Sequence, residues 1–134
     1  MPDTSADIER VLGFDFGLQS IGVAVGQSIT ATATPLPVLP ARNGKPDWQR
    51  VATLIREWKV NHLVVGLPLN MDDTDNPVTV KARAFATALT KRFALPVTLV
   101  DERLTTREAM EITGGDRARG HGVAAALLVE SYLR

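Results

Sequence analysis

Cysteine is absent from the 134-residue chain, which excludes disulfides, thiolate nucleophiles and Cys-ligated zinc. Aromatic residues are scarce, at 5%. Trp48, Trp58, Phe85 and Phe93 fall at helical core spacing, so a base-stacking platform would have to rest on Phe16 or Tyr132, a poor basis for one. Net charge is zero, with 15 basic and 15 acidic residues, so no whole-molecule field announces a polyanionic partner. No apolar run approaches the ~18–20 residues that cross a bilayer. Gly120–Val129 is among the longest, and His121 interrupts it. Met1–Arg10 carries three acids and one Arg, without the basic and apolar regions of a secretory signal. Wholesale disorder is excluded as well, because 45% of the residues are apolar and only 22% are charged. The expectation is one cytoplasmic domain over 1–134, an enzyme or a binding protein, with 1–9 as a flexible N-terminus.

Charge is unevenly spread. Residues 1–80 hold 6 bases and 9 acids, a net of −3, whereas 81–119 hold 8 bases and 5 acids, a net of +3. Lys81, Arg83, Lys91 and Arg92 either form the solvated face of one helix or present a basic surface beside an acidic site, as an enzyme acting on a polyanion needs.

Apolar β-branched runs predict strands at Val11–Phe16, Ile21–Gly26, Asn61–Leu67 and Pro96–Val100. Ala31–Leu39 is a further strand, but Pro35 and Pro37 confine it to a sheet edge. Asn43-Gly44 reads as a loop. Helical spacing marks Pro46–Trp58, Pro77–Phe93 and Gly122–Leu133, and Thr105-Thr106-Arg107-Glu108 has the form of a capping box opening another helix. Pro68–Asn76 is a polar loop, and Thr113–Gly120 a glycine-rich, charged one. The order β-β-β-α-β-α-β-α-α implies an α/β fold: a mixed five-stranded sheet, its first three strands antiparallel, with helices on both faces.

Open α/β sheets place ligands at the carboxyl ends of their strands. Three stretches fall there: Phe14-Asp15-Phe16-Gly17, Gly66-Leu67-Pro68-Leu69-Asn70 and Asp101-Glu102-Arg103. Each alone has an ordinary reading, as a turn Asp, a strand exit and a surface ion-pair group. Together they bring carboxylates to one sheet end, where they repel unless a divalent cation joins them. Oxygen ligands suit Mg²⁺ or Mn²⁺. Two such cations clamp the attacking and leaving oxygens of a phosphodiester, and an arginine beside them can grip a phosphate bidentately. Asp72, Asp73 and Asp75 lack the glycine and terminal Glu of a calcium loop and read as a solvated loop.

Asp15-Phe-Gly17 with Ile21-Gly22-Val23-Ala24, Gly66–Asp72, Asp101-Glu102-Arg103-Leu104-Thr105-Thr106 and the closing Glu130-Ser131-Tyr132-Leu133 resemble the YqgF, or RuvX, family over about Val11–Arg134. The resemblance implies an RNase H-like fold with strand order 3-2-1-4-5. It also implies a nuclease, assigned first as a Holliday junction resolvase and later as a processor of the 5′ end of the 16S ribosomal RNA precursor. The family's first acid falls on Asp15 and its second on Glu102. Its third acidic position falls on His121, where this sequence departs from the pattern. A neutral imidazole there can ligate Mn²⁺, though it suits Mg²⁺ less well; otherwise His121 is a helix cap. Two smaller departures are Asp73 for the usual Gly and Leu18 for the usual Thr.

The expected site therefore has Asp15, Glu102 and His121 as catalytic residues. Asp15, Glu102, Asp101 and His121 ligate the metals, and Arg83, Arg103 and Asn70 bind substrate. The expected partner is nucleic acid, a structured ribosomal RNA precursor ahead of a DNA junction, with no membrane. The protein is a monomer or a homodimer. A resolvase would need the two-fold dimer, since it nicks two symmetric strands. The reading from another class is a non-catalytic RNA-binding ribosome assembly factor.

Overall fold

A computed structural model describes residues 8–103 and 117–134, with side chains of the second segment described from Gly122 onward. The chain order is β1 (Arg10–Asp15), β2 (Ser20–Gln27), β3 (Thr32–Arg42), β4 (Lys45–Pro46), α1 (Trp48–Glu57), β5 (His62–Leu67), α2 (Pro77–Phe93), β6 (Val97–Asp101) and α3 (Arg117–Leu133). Strands align as β4-β3-β2-β1-β5-β6. β1 to β4 pair antiparallel in succession, whereas β5 and β6 join parallel to β1. This is the expected mixed sheet in the expected order, with one strand more than the five predicted.

The added strand comes from the Asn43-Gly44 loop. Both residues have positive φ, 51° and 80°, as a two-residue hairpin turn requires. The turn folds Lys45 and Pro46 back onto Arg42 and Ala41. Pro46 is therefore a strand residue, and α1 begins two residues later behind the cap that the Asp47 side chain gives the Gln49 N–H, at 3.0 Å. β4 covers only Ala41 and Arg42, so the proline-bearing stretch of β3 keeps an open edge, as Pro35 and Pro37 require. The capping box at Thr105–Glu108 lies outside the described residues.

The last helix starts earlier than its sequence suggests, at Arg117 rather than Gly122. Glycine disfavours a helix interior, but packing overrides propensity here: Gly122 is buried, and a Cβ on it would lie 3.4 Å from Pro35 Cβ.

Strand alternation assigns the two faces. Leu12, Phe14 and Phe16 of β1 and the following turn join Leu63, Val65 and Leu67 of β5 against Val51 of α1 and Ala82, Phe85 and Leu89 of α2. Val11, Ala24 and Val64 point the other way, onto Ala125, Leu128 and Val129 of α3. α3 lies very close to the sheet there, since a Cβ on Gly13 would fall 2.3 Å from Val129 Cγ2. Asp15 follows Gly13 by two residues and so shares the α3 face.

Candidate active site

The parallel strands β1, β5 and β6 end level with one another. Asp15 closes β1, which lies between β2 and β5, with its backbone paired to Gly22 of β2. Glu102 follows β6, held one residue further by its N–H bonding to the Leu67 carbonyl at 3.3 Å. Both carboxylates are buried, at 4% and 7% exposure. They are hydrogen-bonded to each other. The Glu102 carboxyl is held well above its usual range, first by burial, then by that bond, then by the negative charges of Asp15 and Asp101. Without a cation between them, the two groups lower their repulsion by retaining a proton on Glu102.

Gly66 makes this pairing possible. A Cβ on it would sit 2.7 Å from Glu102 Oε2 and 2.7 Å from Leu128 Cδ1. Sequence reasoning placed Gly66 in a motif without giving it this role. The available signal was a glycine inside an otherwise branched strand, which marks close approach.

Asp101 stands next to Glu102 but on the opposite pleat, exposed, with its carboxylate on Arg103. The hydrogen bonds from Arg103 lower the Asp101 pKa. The geometry does not bring Asp101 to the buried pair. Arg103 is committed more widely: its guanidinium also donates to the Asn70 carbonyl at 2.7 Å and to Asp73 Oδ1 at 2.6 Å. It pins the 68–76 loop to the end of β6. Arg83 forks onto both oxygens of Asp75, at 2.7 and 3.0 Å. The Asn70 side chain donates to Thr74 and accepts from Asn76. The three residues expected to bind substrate thus all hold the 68–76 loop in this structure.

Within that loop Asp73 has φ +70°, a left-handed conformation that favours glycine. Aspartate tolerates it better than most residues, and here its carboxylate gains Arg103. Leu18 packs against the core beside the β1–β2 turn. Asp72 is engaged with Thr74, so the three acids of this loop are each occupied by the protein. His121 lies in the second turn of α3, one turn before Ala125. Its side chain is outside the described ones. Among the described residues no third His, Asp or Glu joins Asp15 and Glu102 as a metal-holding group.

A buried carboxylate pair at the switch from antiparallel to parallel strands is, by position, a candidate ligand site. The family described as RuvX, Holliday junction resolvase, matches residues 9–134. This chain belongs to the RuvX family. A relative from Klebsiella pneumoniae, named "Putative pre-16S rRNA nuclease", is 52% identical over 128 residues, covering 90% of this chain and 93% of its own. One from Cronobacter sakazakii with the same name is 50% identical, covering 91% and 94%. Among solved structures, Thermus thermophilus RuvC in complex with a Holliday junction substrate superposes at TM-score 0.53, with 16% identity and 93% of each chain covered. Fowlpox virus resolvase with its junction DNA gives TM-score 0.54 at 12% identity, covering 92% and 96%. These likenesses establish the RNase H-like fold of this RuvX-family chain. No helix among its described residues is long and apolar enough to cross a membrane.

Proposed function

We propose that the chain is a divalent-cation-dependent endonuclease that hydrolyses phosphodiester bonds at the 5′ end of the 16S ribosomal RNA precursor. The observation that carries this reading is the buried Asp15–Glu102 pair. Two carboxylates placed where one must hold a proton are a poor structural element and a good hard-cation site, because a cation replaces the proton. The relatives near half identity, named as pre-16S rRNA nucleases, support the substrate.

Asp15 and Glu102 would hold the cation, Mg²⁺ or Mn²⁺, with His121 as a further ligand on the strength of the family resemblance. When bound, the cation supplies charge neutralisation at the scissile phosphate and a lowered pKa for the attacking water. The chain's own work is positional. Gly66 leaves the space in which Glu102 lies against Asp15. Arg103 and Arg83 fix the neighbouring loop, and Arg103 also balances Asp101, so that carboxylate does not repel an incoming phosphate. The apolar wall from Leu128 lowers the local dielectric and strengthens each charge contact.

The second reading, resolution of four-way DNA junctions, is favoured by the description of the family itself. The test is cleavage by the purified protein of a precursor RNA spanning the mature 5′ end, of single-stranded RNA and of a four-way DNA junction, with Mg²⁺ or Mn²⁺. Cleavage of the precursor alone is the expected result. Paired symmetric nicks in the junction, with the RNA intact, would replace the reading by the resolvase one. Binding without cleavage under every condition would leave an RNA-binding assembly factor.

A further inference from the structure

The cations that sequence reasoning assigned to phosphate contact, Arg83 and Arg103, are both neutralised by aspartates. A different set of cations lies elsewhere on the surface. Lys45, Lys81 and Arg92 line one groove of about 340 Å³ between α2 and the β3–β4 hairpin. Among the described residues none of the three forms an ion pair with an acid. Asp47, nearby in sequence, lies outside the groove and caps α1 instead.

The groove is built rather than incidental. Lys81, Phe85 and Arg92 occupy one stripe of α2, at spacings of four and seven residues. The Arg92 guanidinium lies 4.4 Å from the centre of the Trp48 ring, which stacks on Phe85 at 5.7 Å. That contact orients the cation without cancelling its charge. The hairpin tip is seated on Phe16, where a Cβ on Gly44 would fall 2.5 Å from the ring. The Gly44 N–H also bonds the Leu18 carbonyl at 2.8 Å. Lys45 is thereby fixed beside the residue that follows Asp15. The groove starts at the sheet end that carries the carboxylates and runs along the face opposite α3.

We propose that this groove binds the phosphodiester backbone of a nucleic-acid strand, holding the substrate to one side of the reacting phosphate. The proposal rests on the nuclease reading and adds the path of the strand. A volume at the lower end of ligand pockets suits a short stretch of a polymer better than an enclosed small molecule. Trp48 is already engaged by Phe85 and Arg92, so the groove offers charge rather than base stacking. Sequence-independent binding with strong salt dependence follows.

The test is binding of a fluorescent single-stranded RNA in EDTA, which prevents metal-dependent cleavage, across a series of salt concentrations. The parent is compared with Lys45→Gln/Lys81→Gln, with the triple variant that adds Arg92→Gln, and with Lys91→Gln, which removes a charge from α2 outside the groove. Thermal unfolding of each variant is recorded, and the double variant leaves the Trp48 contact intact should the triple fold poorly. The slope of log K against log salt is expected to fall by about 1.4 for the double and about 2 for the triple variant, at roughly 0.7 per lost phosphate contact. Lys91→Gln is expected to keep the parental slope. Parental slopes in folded double and triple variants would overturn the groove while leaving the nuclease reading intact. So would equal loss in Lys91→Gln, or competition by polyglutamate as strong as by unlabelled RNA. A parent that cleaves nucleic acid but shows no salt-dependent binding also overturns it. Failure to cleave is read separately, in the presence of metal.

Discussion

Glu102 is where burial and charge conflict most sharply. Its folded pKa lies above its ordinary value of 4.5, for reasons of burial and of Asp15 beside it. Over the window between those two values the folded state binds more protons than the unfolded one. Stability of the metal-free protein must therefore fall as pH rises through neutrality, by at most about 1.4 kcal/mol per pH unit. Glu102→Gln should flatten that dependence and raise the unfolding temperature at pH 8. Thermal scans in EDTA from pH 5 to 9 check this, and a parental profile in the variant would assign the pH dependence to other groups. Asp15 and Glu102 could be found from the sequence because ionisable residues at the ends of apolar strands are costly unless used. The occupations of Arg83 and Arg103 could not. Arg103 meets Asp73 across 30 positions of sequence, and only the folded loop reveals that encounter. His121 stays an expectation from the family resemblance.

At the scale of elements, local chemistry was a good guide wherever one residue forces the backbone. Asn76 and Thr79 form a reciprocal cap, so α2 runs Pro77–Phe93, as the spacing indicated. The prolines of β3 keep it at an edge. Elements decided by distant packing were harder to read: the two-residue β4 exists only because β3 is beside it, and α3 extends back through Gly120 and Gly122 to Arg117. β5 shows how an element serves the site. Gly66→Ala would force a methyl against Glu102 and Leu128, at a cost of about 1–3 kcal/mol. Cleavage should fall further than the loss of folded protein explains, because Glu102 must move. Leu89→Ala, a cavity on the opposite face, should cost about 2–5 kcal/mol and keep the rate per folded molecule. Denaturant titration alongside initial cleavage rates separates the two. Equal rates per folded molecule in both variants would deny Gly66 its part in positioning Glu102.

For the molecule as a whole, the sheet divides the labour. One face, under α1 and α2, holds the larger apolar core. The other, under α3, carries the carboxylates at its open end. Tight turns indicated the antiparallel start and the intervening helices the parallel strands, while the strand order came from the family resemblance. What sequence could not supply was the meeting of α2 with the hairpin tip, which sets Lys45 beside Lys81 and Arg92. The most direct measurement is the initial rate of precursor RNA cleavage by the parent and by Asp15→Asn, in Mg²⁺ and in Mn²⁺, with the unfolding temperature of both recorded. Asp15→Asn should lose at least about a thousandfold in rate, the equivalent of several kcal/mol of transition-state stabilisation. Its unfolding temperature in EDTA should be unchanged or higher, since a buried carboxylate charge is gone and the amide oxygen can still accept from Glu102. A folded Asp15→Asn protein that cleaves at the parental rate in either metal would contradict the assignment of this pair as the catalytic centre.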